Sequence, residues 1–143
     1  MYMGEYNHTI DTKGRLIVPM KFREQLGDSF VITRGFEGCL MIYDNGEWEK
    51  VQEKITSQSI LSAQARTLHR YLIGGASLSE IDKQGRVLIP PVLRQAAGIT
   101  KDVVLLGVGN KIEVWSKEKW TAQSESVNIE EIAEQLNLAG ITL

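Results

Sequence analysis

Two short stretches hold the residues best able to do chemistry, and each repeats the other. Asp11-Thr12-Lys13-Gly14-Arg15 and Asp82-Lys83-Gln84-Gly85-Arg86 both place a carboxylate four residues before a guanidinium, with a glycine just ahead of the arginine. Glycine tolerates a positive φ, so each stretch reads as the tip of a hairpin. An arginine there offers a planar fork of donors that fits a phosphate or the O6/N7 edge of guanine, and a lysine adds a point charge. The candidate nucleic-acid contacts are therefore Lys13, Arg15, Lys83 and Arg86. Gly14 and Gly85 shape the turns. Asp11 and Asp82 read as structural residues of the hairpins, placed to form ion pairs with Arg15 and Arg86 that pin each turn, a role compatible with DNA contact by the arginines.

Other chemistries find no support. There is no glycine-rich phosphate loop, no His-Glu-x-x-His pair and no nucleophile elbow, and Gly107-Val108-Gly109-Asn110 reads as a hairpin turn. Cys39 is the single cysteine and reads as a buried strand thiol; His8 and His69 are too few for a histidine-rich metal site. His69 is placed to meet a helix end. No cofactor and no metal are expected, nor is catalysis. Asp11 and Asp82 lie in separate copies, and nothing in their spacing predicts that the two turns meet.

The elements that position these tips are duplicated with them. Thr9–Gly27 aligns without gaps on Glu80–Gly98 at an offset of 71, with identities at Ile10/Ile81, Asp11/Asp82, Gly14/Gly85, Arg15/Arg86, Pro19/Pro90, Arg23/Arg94 and Gly27/Gly98. Each copy predicts a strand into the turn and a short return strand, Leu16–Val18 or Val87–Ile89. A proline then opens a brief helix at its N1 position, and a glycine closes it. Phe22 and Leu26, or Leu93 and Ala97, face inward from that helix. Arg23 and Arg94 read as surface or interface residues, Lys21 as solvated.

Two more strands follow in each copy, SFVITR and GCLMIY, then DVVLLGV and KIEVW, leading to helices that carry Trp48 and Trp120 as matched core anchors. Asp44–Glu47 is a capping box. Between the copies Leu61, Ala65, Leu68 and Leu72 predict an inserted helix closed by Gly74-Gly75, and Asn128–Glu131 caps a last helix bearing Ile132, Ala133 and Leu136. The expected segments are a first repeat at 5–48, connecting helices at 49–75, a second repeat at 76–120, and an acidic helix and tail at 121–143. A unit of about 45 residues rarely builds a sufficient core alone, so the copies must bury their apolar faces on each other.

The formal net charge is −2, which excludes a coat of basic residues, yet its distribution is uneven. Residues 6–27 carry four cations against two carboxylates, and residues 117–143 carry two against five. With no signal-peptide pattern and no membrane-spanning run, the expected compartment is the reducing cytoplasm.

The doubled Asp-x-x-Gly-Arg, each followed by an apolar strand and Ile/Val-Pro, resembles the MraZ family over essentially the whole chain, from MGEYNHTIDTKGRLIVPMKFR through TRG to the second motif. The resemblance implies a mixed α/β, mainly β fold of duplicated AbrB-like swapped-hairpin barrel halves with added helices. It also implies a ring-shaped, octamer-like homo-oligomer. Its partner would be double-stranded promoter DNA with direct repeats, its role transcriptional control, often repression, of its own division and cell-wall operon, and its location the nucleoid. Thr12-Lys13 becomes Lys83-Gln84 in the second copy, so the halves need not contact DNA equally. A non-enzymatic oligomeric scaffold or protein-interaction module is the alternative.

Overall fold

The computed structural model describes residues 1–142, so the last residue of the acidic tail lies outside them. Its elements run β1 (Tyr2–Thr9), β2 (Arg15–Ile17), α1 (Met20–Leu26), β3 (Ser29–Arg34), β4 (Leu40–Asp44), α2 (Asn45–Thr56), α3 (Ala63–Leu72), β5 (Ser77–Glu80), β6 (Arg86–Leu88), α4 (Pro91–Ala97), β7 (Asp102–Gly109), β8 (Ile112–Ser116), α5 (Lys117–Glu125) and α6 (Ile129–Leu138). The architecture is mixed α/β and doubled, as expected, with helical residues somewhat outnumbering those in strands.

The strands form a six-stranded sheet in the order β1-β7-β8-β4-β3-β5 and a separate ribbon, β2-β6. Exchanging the repeats maps both orders onto themselves. The copies are thus interlocked: β1 of the first pairs with β7 of the second, β5 of the second with β3 of the first, and the two return strands pair with each other, all antiparallel. Each expected hairpin turn is present, but its strands pair mainly with the other copy; within the first, only Ile10 bridges to Leu16. The ribbon packs between the two edge strands, β2 against β1 and β6 against β5. It closes the molecule by side-chain packing, not by a continuous ladder around a barrel.

Period-two alternation explains the packing. Phe30, Ile32, Leu40, Ile42, Val103, Leu105, Ile112 and Val114 point from the sheet into one core, met from the ribbon side by Leu16, Val18, Val87 and Ile89, and by Phe22 and Leu93 from the short helices. The opposite sheet face carries two smaller clusters. Val31, Met41 and Tyr43 lie under α2 and α3 with Trp48, Ile55 and Leu72. Cys39, Val104 and Trp115 lie against Trp120 of α5. Strands buried on both faces read as continuous apolar runs. The tryptophans anchor equivalent positions: Tyr43 and Trp48 ring centroids lie 5.8 Å apart, Trp115 and Trp120 5.5 Å.

Helix ends follow the predicted chemistry with small shifts. Asp44, Ser62, Ser116 and Asn128 each accept a backbone N–H three residues on. Pro19 and Pro90 sit at the N-cap, one residue before the expected position, and in the second copy Pro91 takes the first helical turn. Leu61, expected on the inserted helix, precedes it and is exposed, because Ser62 caps the helix after it. His69 does meet a helix end, that of a neighbour: its Nε2 lies 2.6 Å from the carbonyl oxygen of Ile55 in α2. Among the described residues no helix is long and apolar enough to cross a membrane.

Candidate nucleic-acid interface

Each turn is built the same way. Asp11 Oδ1 accepts from the backbone N–H groups of Lys13 and Arg15, both at 2.9 Å, and Oδ2 accepts from Arg15 Nε at 2.7 Å. Asp82 repeats this with Gln84 N, Arg86 N and Arg86 Nε, each at 2.9 Å. One carboxylate therefore closes the turn and aims the guanidinium. These bonds, led by the one from the arginine's backbone N–H, hold both carboxyls below the ordinary aspartate range. The ion-pair reading of Asp11 and Asp82 holds geometrically in both copies. Because Asp engages Arg15 only through Nε, its Nη groups form no hydrogen bond among the described residues.

The ribbon brings the two turns together, a meeting that nothing in their spacing predicts. Arg86 Nη1 lies 3.9 Å from Asp11 Oδ2, so Arg86 stands between both carboxylates. Its Nη2 also donates to Gln84 Oε1 at 3.4 Å. The tips are fastened across the copies by backbone bonds: Val18 N–H donates to the Gly85 carbonyl at 3.0 Å, and Ile89 N–H to the Gly14 carbonyl at 2.8 Å. Spacing along the chain gave no hint of this, because the contact arises only when β2 pairs with β6.

Both glycines have positive φ, +86° at Gly14 and +79° at Gly85, and a second restriction comes from the other half of the molecule. A Cβ at Gly14 would lie 2.7 Å from Arg94 Cζ, and one at Gly85 would lie 2.3 Å from Arg23 Nη1. Each short helix thus lays its arginine over the opposite turn. Arg94 is further held by Nε donating to the Ile89 carbonyl at 2.9 Å, whereas Arg23 Nε is buried without a hydrogen-bond partner among the described residues. Arg23 and Arg94 are the residues that sequence reasoning placed too loosely. The signal was available in their identity at matching positions beside invariant-length turns.

The outer face of the ribbon is a checkerboard. Arg15 stands opposite Leu88, and Ile17 opposite Arg86, while Leu16 and Val87 point into the core. The arginine side chains are 33% and 25% exposed, and Ile17 and Leu88 are 46% and 54% exposed. Lys13 and Lys83 occupy the exposed tips. Six cations, Lys13, Arg15, Arg23, Lys83, Arg86 and Arg94, therefore gather around two carboxylates in a chain of net charge −2. The site is a cationic ridge of two-fold character whose central donors are already oriented.

A protein-family model described as "MraZ protein, putative antitoxin-like" matches residues 1–71 and again residues 72–138. The chain belongs to the MraZ family. Relatives called "Transcriptional regulator MraZ" match nearly end to end. The one from Lachnoclostridium phytofermentans is 51% identical, covering 99% of both chains. That from Caldanaerobacter subterraneus subsp. tengcongensis is 49% identical over 96% of this chain and 97% of its own. The Clostridium acetobutylicum protein is 46% identical over 99% and 100% respectively. The two MraZ matches meet between residues 71 and 72, at the last residue of α3, so each takes one hairpin turn and the short helix that follows it.

Proposed function

We propose that this chain is a sequence-specific DNA-binding transcriptional regulator, non-enzymatic, that engages duplex DNA through Arg15, Arg86, Lys13 and Lys83 on the interlocked ribbon. The observation that carries the reading is the pair of aspartate-braced arginines on one outward face, surrounded by four further cations. A two-stranded ribbon fits the major groove, and oriented guanidinium groups meet phosphates or guanine edges without a large ordering cost. The name carried by the relatives points the same way.

One ridge offers few contacts, so useful affinity requires several protomers on one DNA molecule. A ring-shaped, octamer-like homo-oligomer binding direct repeats in the promoter of its own division and cell-wall operon, usually to repress it, meets that requirement; it would work in the cytoplasm at the nucleoid. Support for self-association comes from α6, whose Ile129, Ile132 and Leu136 are 68%, 40% and 44% exposed, with no covering element among the described residues. The segments at 5–48 and 76–120 act in this account as the two DNA-facing repeats, with 49–75 and 121–143 serving assembly.

Footprinting on DNA upstream of the protein's own gene tests the reading. Wild type should protect evenly spaced boxes, and Arg15→Ala should lose protection while retaining its fold and assembly size. Protection that survives Arg15→Ala and Arg86→Ala together would refute it. Native mass spectrometry of the wild type tests the ring: a monomer would contradict that part.

A further inference from the structure

The ribbon exposes aliphatic side chains where a purely electrostatic DNA clamp needs none. Ile17 and Leu88, 46% and 54% exposed, lie directly across the strand pair from Arg86 and Arg15. Neither supports the core, which the alternate residues Leu16 and Val87 fill, at 0% and 1% exposure. Leaving two branched side chains in water beside two oriented guanidinium groups makes physical sense if the surface that covers the arginines also covers them.

Resting on the reading of the ridge as a DNA interface, we infer that Ile17 and Leu88 determine specificity by packing against the C5-methyl groups of thymines beside the guanines that Arg15 and Arg86 contact. The major-groove edge of B-DNA offers one strongly apolar group, the thymine methyl. Residues two apart on a strand are separated by about 6.7 Å, close to two base-pair rises of about 3.4 Å, so one strand of the ribbon can set an arginine and an aliphatic group over bases of the same groove. The cross-strand pairing Arg15 with Leu88 and Ile17 with Arg86 repeats this arrangement in the opposite direction. Each DNA strand then meets one guanidinium and one aliphatic side chain.

The copies are not identical readers. Leu88 branches at Cγ where Ile17 branches at Cβ, and it adjoins Leu78 and Pro90 along a shallow surface groove with Ser77 and Glu80. The position equivalent to Leu78 in the first copy is the polar Asn7. The second half therefore presents the broader apolar surface and the first half the more polar one.

The test uses the full-length protein and the DNA upstream of its own gene, amplified once with thymidine and once with deoxyuridine triphosphate, which deletes every C5-methyl and leaves the base-pairing edges unchanged. Wild type should bind the uracil duplex about four- to fifteenfold more weakly, the effect of one or two lost methyl contacts. Ile17→Ala and Leu88→Ala, both at exposed positions, should bind the thymine duplex more weakly and show a reduced difference between the two duplexes. Equal wild-type affinity for both duplexes would overturn the inference, as would alanine variants that retain the full difference. Altered assembly size in Ile17→Ala or Leu88→Ala with the difference retained would also overturn it, by making the face a protein contact. Wild type that binds neither duplex would instead sink the DNA reading itself, and Arg15→Ala, which should weaken both duplexes alike, separates charge from methyl recognition.

Discussion

Alanine at Gly14 tests the interlocked tips most sharply. The backbone there has φ +86°, which costs an L-residue about 1–2 kcal/mol. The new Cβ would also stand 2.7 Å from Arg94 Cζ and 2.8 Å from its Nε, so the guanidinium must move away. Moving it forfeits the bond from Nε to the Ile89 carbonyl, a charged donor contributing about 1.5–3 kcal/mol. Gly14→Ala should therefore cost about 2.5–5 kcal/mol, seen in urea unfolding as a lower midpoint with an unchanged slope. Arg94→Ala alone should cost about the value of that bond. The double variant removes the clash and loses the bond once, so it should be more stable than the sum of the singles by about 1 kcal/mol or more. Gly85→Ala should show weaker coupling to Arg23→Ala, because Arg23 Nε has no partner among the described residues to lose. Additive costs at Gly14 and Arg94, or a neutral Gly14→Ala, would refute the argument that one half's helix seats its arginine on the other half's turn.

Other outcomes follow from the same geometry. Asp11 and Asp82 have folded-state pKa values lowered by their turn bonds, so their contribution is complete above the ordinary aspartate value of about 3.9 and is lost as pH falls through the lower folded value. Stability should fall on acidification below about pH 4, and an Asp11→Asn/Asp82→Asn variant should fall less steeply across that window; equal profiles would count against the carboxylate bracing. Burial pushes the Cys39 thiol up to about 12, so the native protein should resist thiol reagents near pH 8 and release one reactive thiol on unfolding. Rapid native labelling would contradict the packing around β4. A fragment of residues 1–56 loses every pairing partner of β1 and β2 and one neighbour of β3, and should be unfolded or a symmetric dimer; a stable folded monomer would show that the halves do not depend on each other.

The sequence displays the parts of this molecule more plainly than their connections. Asp-x-x-Gly-Arg specifies its own turn, because the carboxylate, the backbone donors and the glycine all lie within five residues, and the same locality makes the caps at Asp44 and Asn128 readable. The alternation of Phe30, Val31 and Ile32 declares a strand buried on both faces. It does not name the neighbour: side-chain period sets which face a residue occupies, and β1 is equally compatible with its own return strand and with β7. Everything that depends on the exchange was therefore hidden, including the approach of Arg86 to Asp11 and the seating of Arg23 and Arg94 on the opposite turns. The exposed Ile17 and Leu88 were hidden for another reason. Each stands in a run of apolar residues, and only the pairing of β2 with β6 decides which of them face out.

The central claim is that the ribbon arginines hold duplex DNA, and the salt dependence of binding tests it most directly. With upstream DNA, wild type should lose affinity linearly on a log–log plot against salt, and Arg15→Ala/Arg86→Ala, folded and assembled as before, should bind more weakly with a slope shallower by about one for each phosphate contact removed per bound protomer. An unchanged affinity and slope in that variant would contradict the account.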